Sequence, residues 1–336
     1  MPSGSVDVVD IRRAESSSRA FAAGFLGETA VFVLAEEGAL FLERDGAVSH
    51  VALHDGAILS SAFGGGQLLT AGDDGQVMAI GADLVPHRVI SDSKRRWINC
   101  LATSALGDVA WGVGKQVMCR TQHGVEQSLS LEAVAADLEF SADGIMLAVS
   151  HNNGLTLWGP DTGVEPICFA WKGAHERVCF SPDGKVVATT MREPAIHAWR
   201  IADGVDLPTP AYPARVRSFG WTASGRYLVT GGSHRLTALS LGVYDNPLAR
   251  MPLFLAPYQE LVDRVTCHPR DEVAAVGYAD GLVLLVKLPF GEEIPLKTSD
   301  GHRIGALTWN SDGSRLAIAS ESGQVRVVEF RKNQDV

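Results

Sequence analysis

Residues 178–199 read VCFSPDGKVVATTMREPAIHAW: an apolar run from Val178, a tight turn at Ser181-Pro182-Asp183-Gly184, a β-branched run from Val186 to Thr190, a second turn, and a third run ending on Trp199. Pro and Asp-Gly preset the backbone for a reversal, and β-branched residues suit a pleated surface. The phrase recurs. Residues 136–158 and 304–330 keep the same order, with Ser141-Ala142-Asp143-Gly144 and Ser311-Asp312-Gly313 at the first turn. Aligning the residue that closes each first run gives Phe25, Phe63, Thr103, Phe140, Phe180, Trp221, His268 and Trp309, at spacings of 38, 40, 37, 40, 41, 47 and 41. A period near forty, with strands on both sides of each turn, predicts a propeller or solenoid.

Repetition makes one large unit of the 336 residues, so a single all-β propeller domain spanning 1–336 is expected, built of four-stranded blades. Eight blades are favoured and seven are the alternative. The 47-residue spacing marks a longer connection around Gly242 to Pro257, in which Pro252-Leu253-Phe254-Leu255 reads as the outer strand of the sixth blade. After Phe330 only Arg331 to Val336 remain, too short and polar for an outer strand. Val6-Asp7-Val8-Val9-Asp10-Ile11 is strand-like and is expected to complete the last blade, closing the ring and removing its free edges.

These residues resemble the WD40 repeat family of β-propellers. Leu155-Thr156-Leu157-Trp158 before Gly159, and Ala195 to Arg200 with Trp199, are similar to the family's third-strand ending. Gly301-His302 resembles its Gly-His dipeptide, and His175 holds that place before the fifth repeat; Asp74-Gly75, Asp280-Gly281 and Asn153-Gly154 resemble its turn between second and third strands. The repeats are divergent, since no Trp-Asp dipeptide occurs. The resemblance implies a buried hydrogen-bonded network within a blade: His175, Thr189 or Thr190 and Trp199 supply most of one, with Glu193 at the turn, while His302 and Ser320 match another in which Ser322 replaces the aspartate.

Net charge is −10, from 39 acidic and 29 basic residues, which argues against independent nucleic-acid binding. No apolar stretch has signal-peptide length or the roughly 18 residues that cross a bilayer, so a soluble cytoplasmic protein, monomeric in isolation, is expected. Cys100, Cys119, Cys168, Cys179 and Cys267 are odd in number and lack CxxC spacing, as suits reduced, packed thiols. No HExxH, metal-spaced Cys/His cluster, complete phosphate loop or GxSxG elbow occurs, so no catalytic residue, cofactor or metal is assigned.

In the family's geometry, loops entering first strands and loops joining second to third strands share the face that usually meets a partner. Here they carry Lys94-Arg95-Arg96-Trp97, Trp171-Lys172, Arg192, Tyr212, Arg215, His234-Arg235, Tyr258 and Arg303. Arginine and aromatic side chains anchor interfaces most often. The function expected is a non-catalytic scaffold that binds a protein or peptide through this face, with an acidic or carboxylate-bearing segment as its simplest complement. The alternatives are an accessory subunit of an RNA- or DNA-processing complex, and an enzyme or metal-binding protein that uses the central channel.

Overall fold

The computed structural model describes residues 6–16, 18–36, 38–207, 209–241 and 251–332, and every regular element among them is a β-strand. The repeated phrase folds as an antiparallel meander in which sequence order is sheet order. In the first sheet, Ala20–Leu26, Thr29–Leu34, Gly38–Leu42 and Val48–Ala52 pair in turn. The middle strands are buried on both faces because neighbouring sheets stack on them, so they read as continuous apolar runs. Outer strands such as Val48–Ala52 and Glu126–Ser130 alternate between exposed and half-buried.

Among the described residues the hydrogen-bonded sheets number seven, where the spacing led to eight: six have four strands and one has six. The six-stranded sheet runs Ala135–Phe140, Leu147–Trp158, Ile167–Phe180, Val186–Met191, Ile196–Arg200, Asp206–Leu207. Two of its strands carry more than one pairing. Leu147–Trp158 meets Ala135–Phe140 along 147–151 and Ile167–Phe180 along 152–157. Ile167–Phe180 in turn meets Val186–Met191 along 175–180. At the reversal at Asn153 and Gly154 (φ 68° and 145°) the register shifts, from Asn152 opposite Ala174 to Gly154 opposite Ala170, and the two strands run on through it.

Val6–Glu15 pairs antiparallel with Gln324–Lys332, from Val6 opposite Lys332 to Glu15 opposite Gln324, with a bulge between Val8 and Asp10. The ring therefore closes through its N-terminal strand, which is longer than the expected 6–11. Residues 242–250, part of the long connection, lie outside the described residues; beyond them Leu253–Leu255 pairs with Leu236–Leu239 as the outer strand of its sheet.

The core lies between sheets. Val31, Val33 and Phe41 of the first sheet pack on Leu68 and Ile80 of the next, while Phe32 and Leu40 on the other face pack on Ala317, Ala319 and Val327 of the closing sheet. Most inner strands carry a bulge near their start, between Ala135 and Asp137, His175 and Arg177, and Val262 and Arg264 among others. A bulge re-aims a side chain, and here it holds Glu176 and Asp263 at the mouth of the central channel.

Candidate recognition face

The loop from Asp92 to Ile98 folds back over the turn at Asp74-Gly75. Asp92 N donates to Gly75 O at 2.8 Å, and Ile98 N to Gly72 O at 3.2 Å. Gly75 has φ 75°, and a Cβ there would meet the Arg95 backbone at 2.8 Å, so glycine serves both the turn and the close approach. The Asp92 carboxylate accepts from Lys94 N and Arg96 N and pairs with the Arg96 guanidinium at 2.7 Å. The Arg96 hydrogen bond, with backbone donors behind it, holds Asp92 down at about 2. Arg95 sits at φ 52°, and Trp97 is 67% exposed instead of packed between sheets. Beside Trp97 a groove of about 590 Å³ is lined by Arg96, Asn99, Val113, Lys115, Gln116 and Val134.

Other residues expected on this face have different duties. Tyr212 is buried, with its hydroxyl 2.8 Å from Thr230 Oγ1, and burial pushes that phenol up; it supports its blade and is withdrawn from the partner-binding set. Tyr258 donates to Asp280 Oδ2 at 2.9 Å, tying a loop to the neighbouring turn. Trp171 is half covered, stacked on His197 at 3.8 Å, and Lys172 beside it is exposed. Arg235 lies 4.1 Å over the Phe254 ring.

His175 Nδ1 meets Thr189 Oγ1 at 2.7 Å and its Nε2 meets Trp171 O at 3.0 Å, so a backbone carbonyl stands where the family pattern has an aspartate. Trp199 packs beside it and Trp158 lies in another inter-sheet core. His197, buried between Trp171 and Trp199, is lowered to about 4 by burial and then by His175. A more complete network lies elsewhere: His54 meets Thr70 Oγ1 at 2.9 Å and Asp74 at 3.1 Å. Sequence reading passed over His54, although His54-Asp55-Gly56 opening a first strand was its signal. His302 departs from expectation: it is exposed, held at Asp300 O, while Ser320 Oγ pairs with Ser322 Oγ.

The inner strands leave backbone groups facing the next blade, and side chains cover them. Asp137 Oδ2 accepts from Val178 N and Glu139 Oε1 from Phe180 N, both at 3.2 Å. Ser218 Oγ accepts from Val265 N at 3.0 Å, and Arg264 Nε donates to Gly305 O at 2.9 Å. Burial raises Asp137, with Arg177 opposing, and raises Glu139 to about 8. At the channel mouth Glu176 holds Arg192 at 3.4 Å and Arg215 more closely, while Asp263 holds Arg217 at 3.7 Å and Arg303 at 3.2 Å. Among the described residues, no group of three or more His, Cys, Asp or Glu is placed to hold a metal, and no helix is long and apolar enough to cross a membrane.

The family described as "WD domain, G-beta repeat" matches residues 293–329, which lie in the sheet that the N-terminal strand closes and in the outer strand before it. That match to one repeat and the propeller arrangement of the sheets support a WD40-repeat β-propeller. WD40 propellers are in general protein-interaction scaffolds, typically non-catalytic. Among solved structures, the computationally designed Ika8 protein is similar over 94% of this chain and 97% of its own, with a TM-score of 0.76 and 17% identity, a likeness of fold alone. No curated protein matches the chain.

Proposed function

We propose that this WD40 propeller is a non-catalytic scaffold that binds a protein or peptide partner, working in the cytoplasm, through the face that carries Arg95, Arg96 and Trp97. The observation that carries the reading is Trp97, 67% exposed beside a groove whose wall includes Arg96, Lys115 and Val134. A large rigid aromatic next to guanidinium and ammonium groups suits an anchor for an acidic segment. Arg96 is preorganised by Asp92, so little side-chain entropy remains to be lost on binding. Replacing Arg95, Arg96 and Trp97 together by alanine should abolish capture of the partner from native cells and leave the melting temperature within about 2 °C, since exposed substitutions cost little. Undiminished capture by the variant would defeat the proposal.

We also read the ring as eight-bladed, the six-stranded sheet holding two blades that share long strands. Support comes from the packing. Eight apolar clusters occupy the spaces between successive units, one of them joining Leu155, Leu157 and Phe169 to Val178, Val187 and Trp199 within that sheet. The channel wall takes residues from eight inner segments, two of them from that sheet, around 136–140 and 176–179. Seven units around the axis in an experimental density would refute this count.

A further inference from the structure

The channel mouth gathers more positive charge than the fold consumes. A cavity of about 350 Å³ opens there, lined by Arg177, Arg192, Arg215, Arg217 and Arg264, which come from separate strands and loops, with Glu176 as the carboxylate in its wall. Glu176 is occupied by Arg192 and Arg215, and Asp263 is shared by Arg217 and Arg303. Arg177 is exposed and makes no side-chain hydrogen bond or ion pair among the described residues, while Arg264 spends its Nε on Gly305 O. Counting Arg303, six guanidiniums face four carboxylates, Asp137, Glu139, Glu176 and Asp263, and burial favours the neutral form of Asp137 and Glu139. Arg264 is lowered chiefly by burial; Asp263 supports its charge, while Arg177 and Arg217 lie close enough to oppose it.

Like charges converging on a cavity in a protein of net charge −10 are costly unless an anion completes them. A single carboxylate offers two oxygens and one charge. A phosphoryl group offers three terminal oxygens and up to two charges, and planar guanidiniums match it in bidentate geometry. We infer that the arginine-lined mouth of the channel is a binding site for a phosphoryl group, with Arg177, whose side chain has no hydrogen bond of its own among the described residues, and Arg217, held loosely by an Asp263 that Arg303 also uses, as its principal donors. The inference stands apart from the Trp97 groove, because a small phosphate binds the purified ring whether or not a protein partner docks beside it.

The test is calorimetric titration of the full chain with pyrophosphate at low salt, using citrate as a carboxylate control of comparable charge. The wild type should bind pyrophosphate more tightly than citrate, and Arg177→Gln with Arg217→Gln should weaken pyrophosphate at least about tenfold, the range for lost charge-assisted contacts. Both side chains are surface-accessible, so the variant should keep its melting temperature. Absence of pyrophosphate binding, citrate binding as tight as pyrophosphate, or equal pyrophosphate affinity in the variant would each overturn the site. A phosphoserine peptide pool, set against the same peptides unphosphorylated, separates the sources. Arginine-dependent preference for the phosphorylated pool places the group on a protein, and pyrophosphate binding without that preference places it on a small phosphate ester; both support the assignment.

Discussion

Glu139 shows how much a single side chain carries in this ring. It was invisible as a special residue because sequence reading weighed carboxylates in turns, whereas Asp137 and Glu139 alternate with Leu138 and Phe140 inside a strand. Their spacing points both toward the open edge of the next inner strand. Burial raises Glu139 from 4.5 to about 8, so between those values the folded state binds more protons than the unfolded chain. Stability from this group is full below pH 4.5 and is lost as pH rises toward 8. Glu139→Gln keeps an oxygen for Phe180 N and removes the titration. It should raise stability at pH 9 by at least about 1.4 kcal/mol, the linkage of one pH unit, and flatten the alkaline limb of a urea-denaturation profile. An unchanged pH profile would show that Glu139 is already ionised without cost. His197 acts in the opposite sense: lowered to about 4, it leaves the folded state with fewer protons below its ordinary value of 6.5, so stability falls as pH drops through that window. His197→Phe, which keeps the ring stack, should reduce that acid loss.

At the scale of the element, turns and strand identities were legible because turn chemistry is local. Ser-x-Asp-Gly turns and β-branched runs announce themselves in a few residues. Pairing partners were less legible: Leu147–Trp158 and Ile167–Phe180 merge what reads as separate strands, since positive φ at Asn153 and Gly154 turns the chain with only a register shift in the pairing. Tyr212 was misread for a related reason. Its place in a loop of the partner-binding face suggested a contact residue, yet the chain returns its hydroxyl to Thr230, a contact no local pattern encodes. The His54, Thr70 and Asp74 network ties an entry loop to its second strand and the following turn. Thr70→Val removes the hydroxyl and leaves His54 Nε2 buried without its partner, which should cost about 2 kcal/mol in chemical denaturation. A loss below about 0.5 kcal/mol would mean that packing alone sets that loop.

For the whole molecule, closure is the decisive feature. The strand Val6–Glu15 covers an edge that Gln324–Lys332 would otherwise present, and period counting anticipated this because the last repeat lacked an outer strand. Deleting residues 1–15 should lower the melting temperature by roughly 10 °C or cause association through the bared edge, visible in light scattering. The recognition face was legible only in part. Arg95, Arg96 and Trp97 stood out as a run, whereas Arg177, Arg217 and Arg264 are single residues in separate repeats that the ring brings to one mouth. The central claim is that partners meet this face, and cross-linking mass spectrometry of the partner complex tests it most directly. Lys94 and Lys115 lie in loops of the recognition face and Lys172 between the two pairings of Ile167–Phe180, while Lys185 lies at a turn of the opposite face and Lys287 at a strand end there. Partner cross-links concentrated on Lys94, Lys115 and Lys172 are the predicted result; cross-links confined to Lys185 and Lys287 would contradict it.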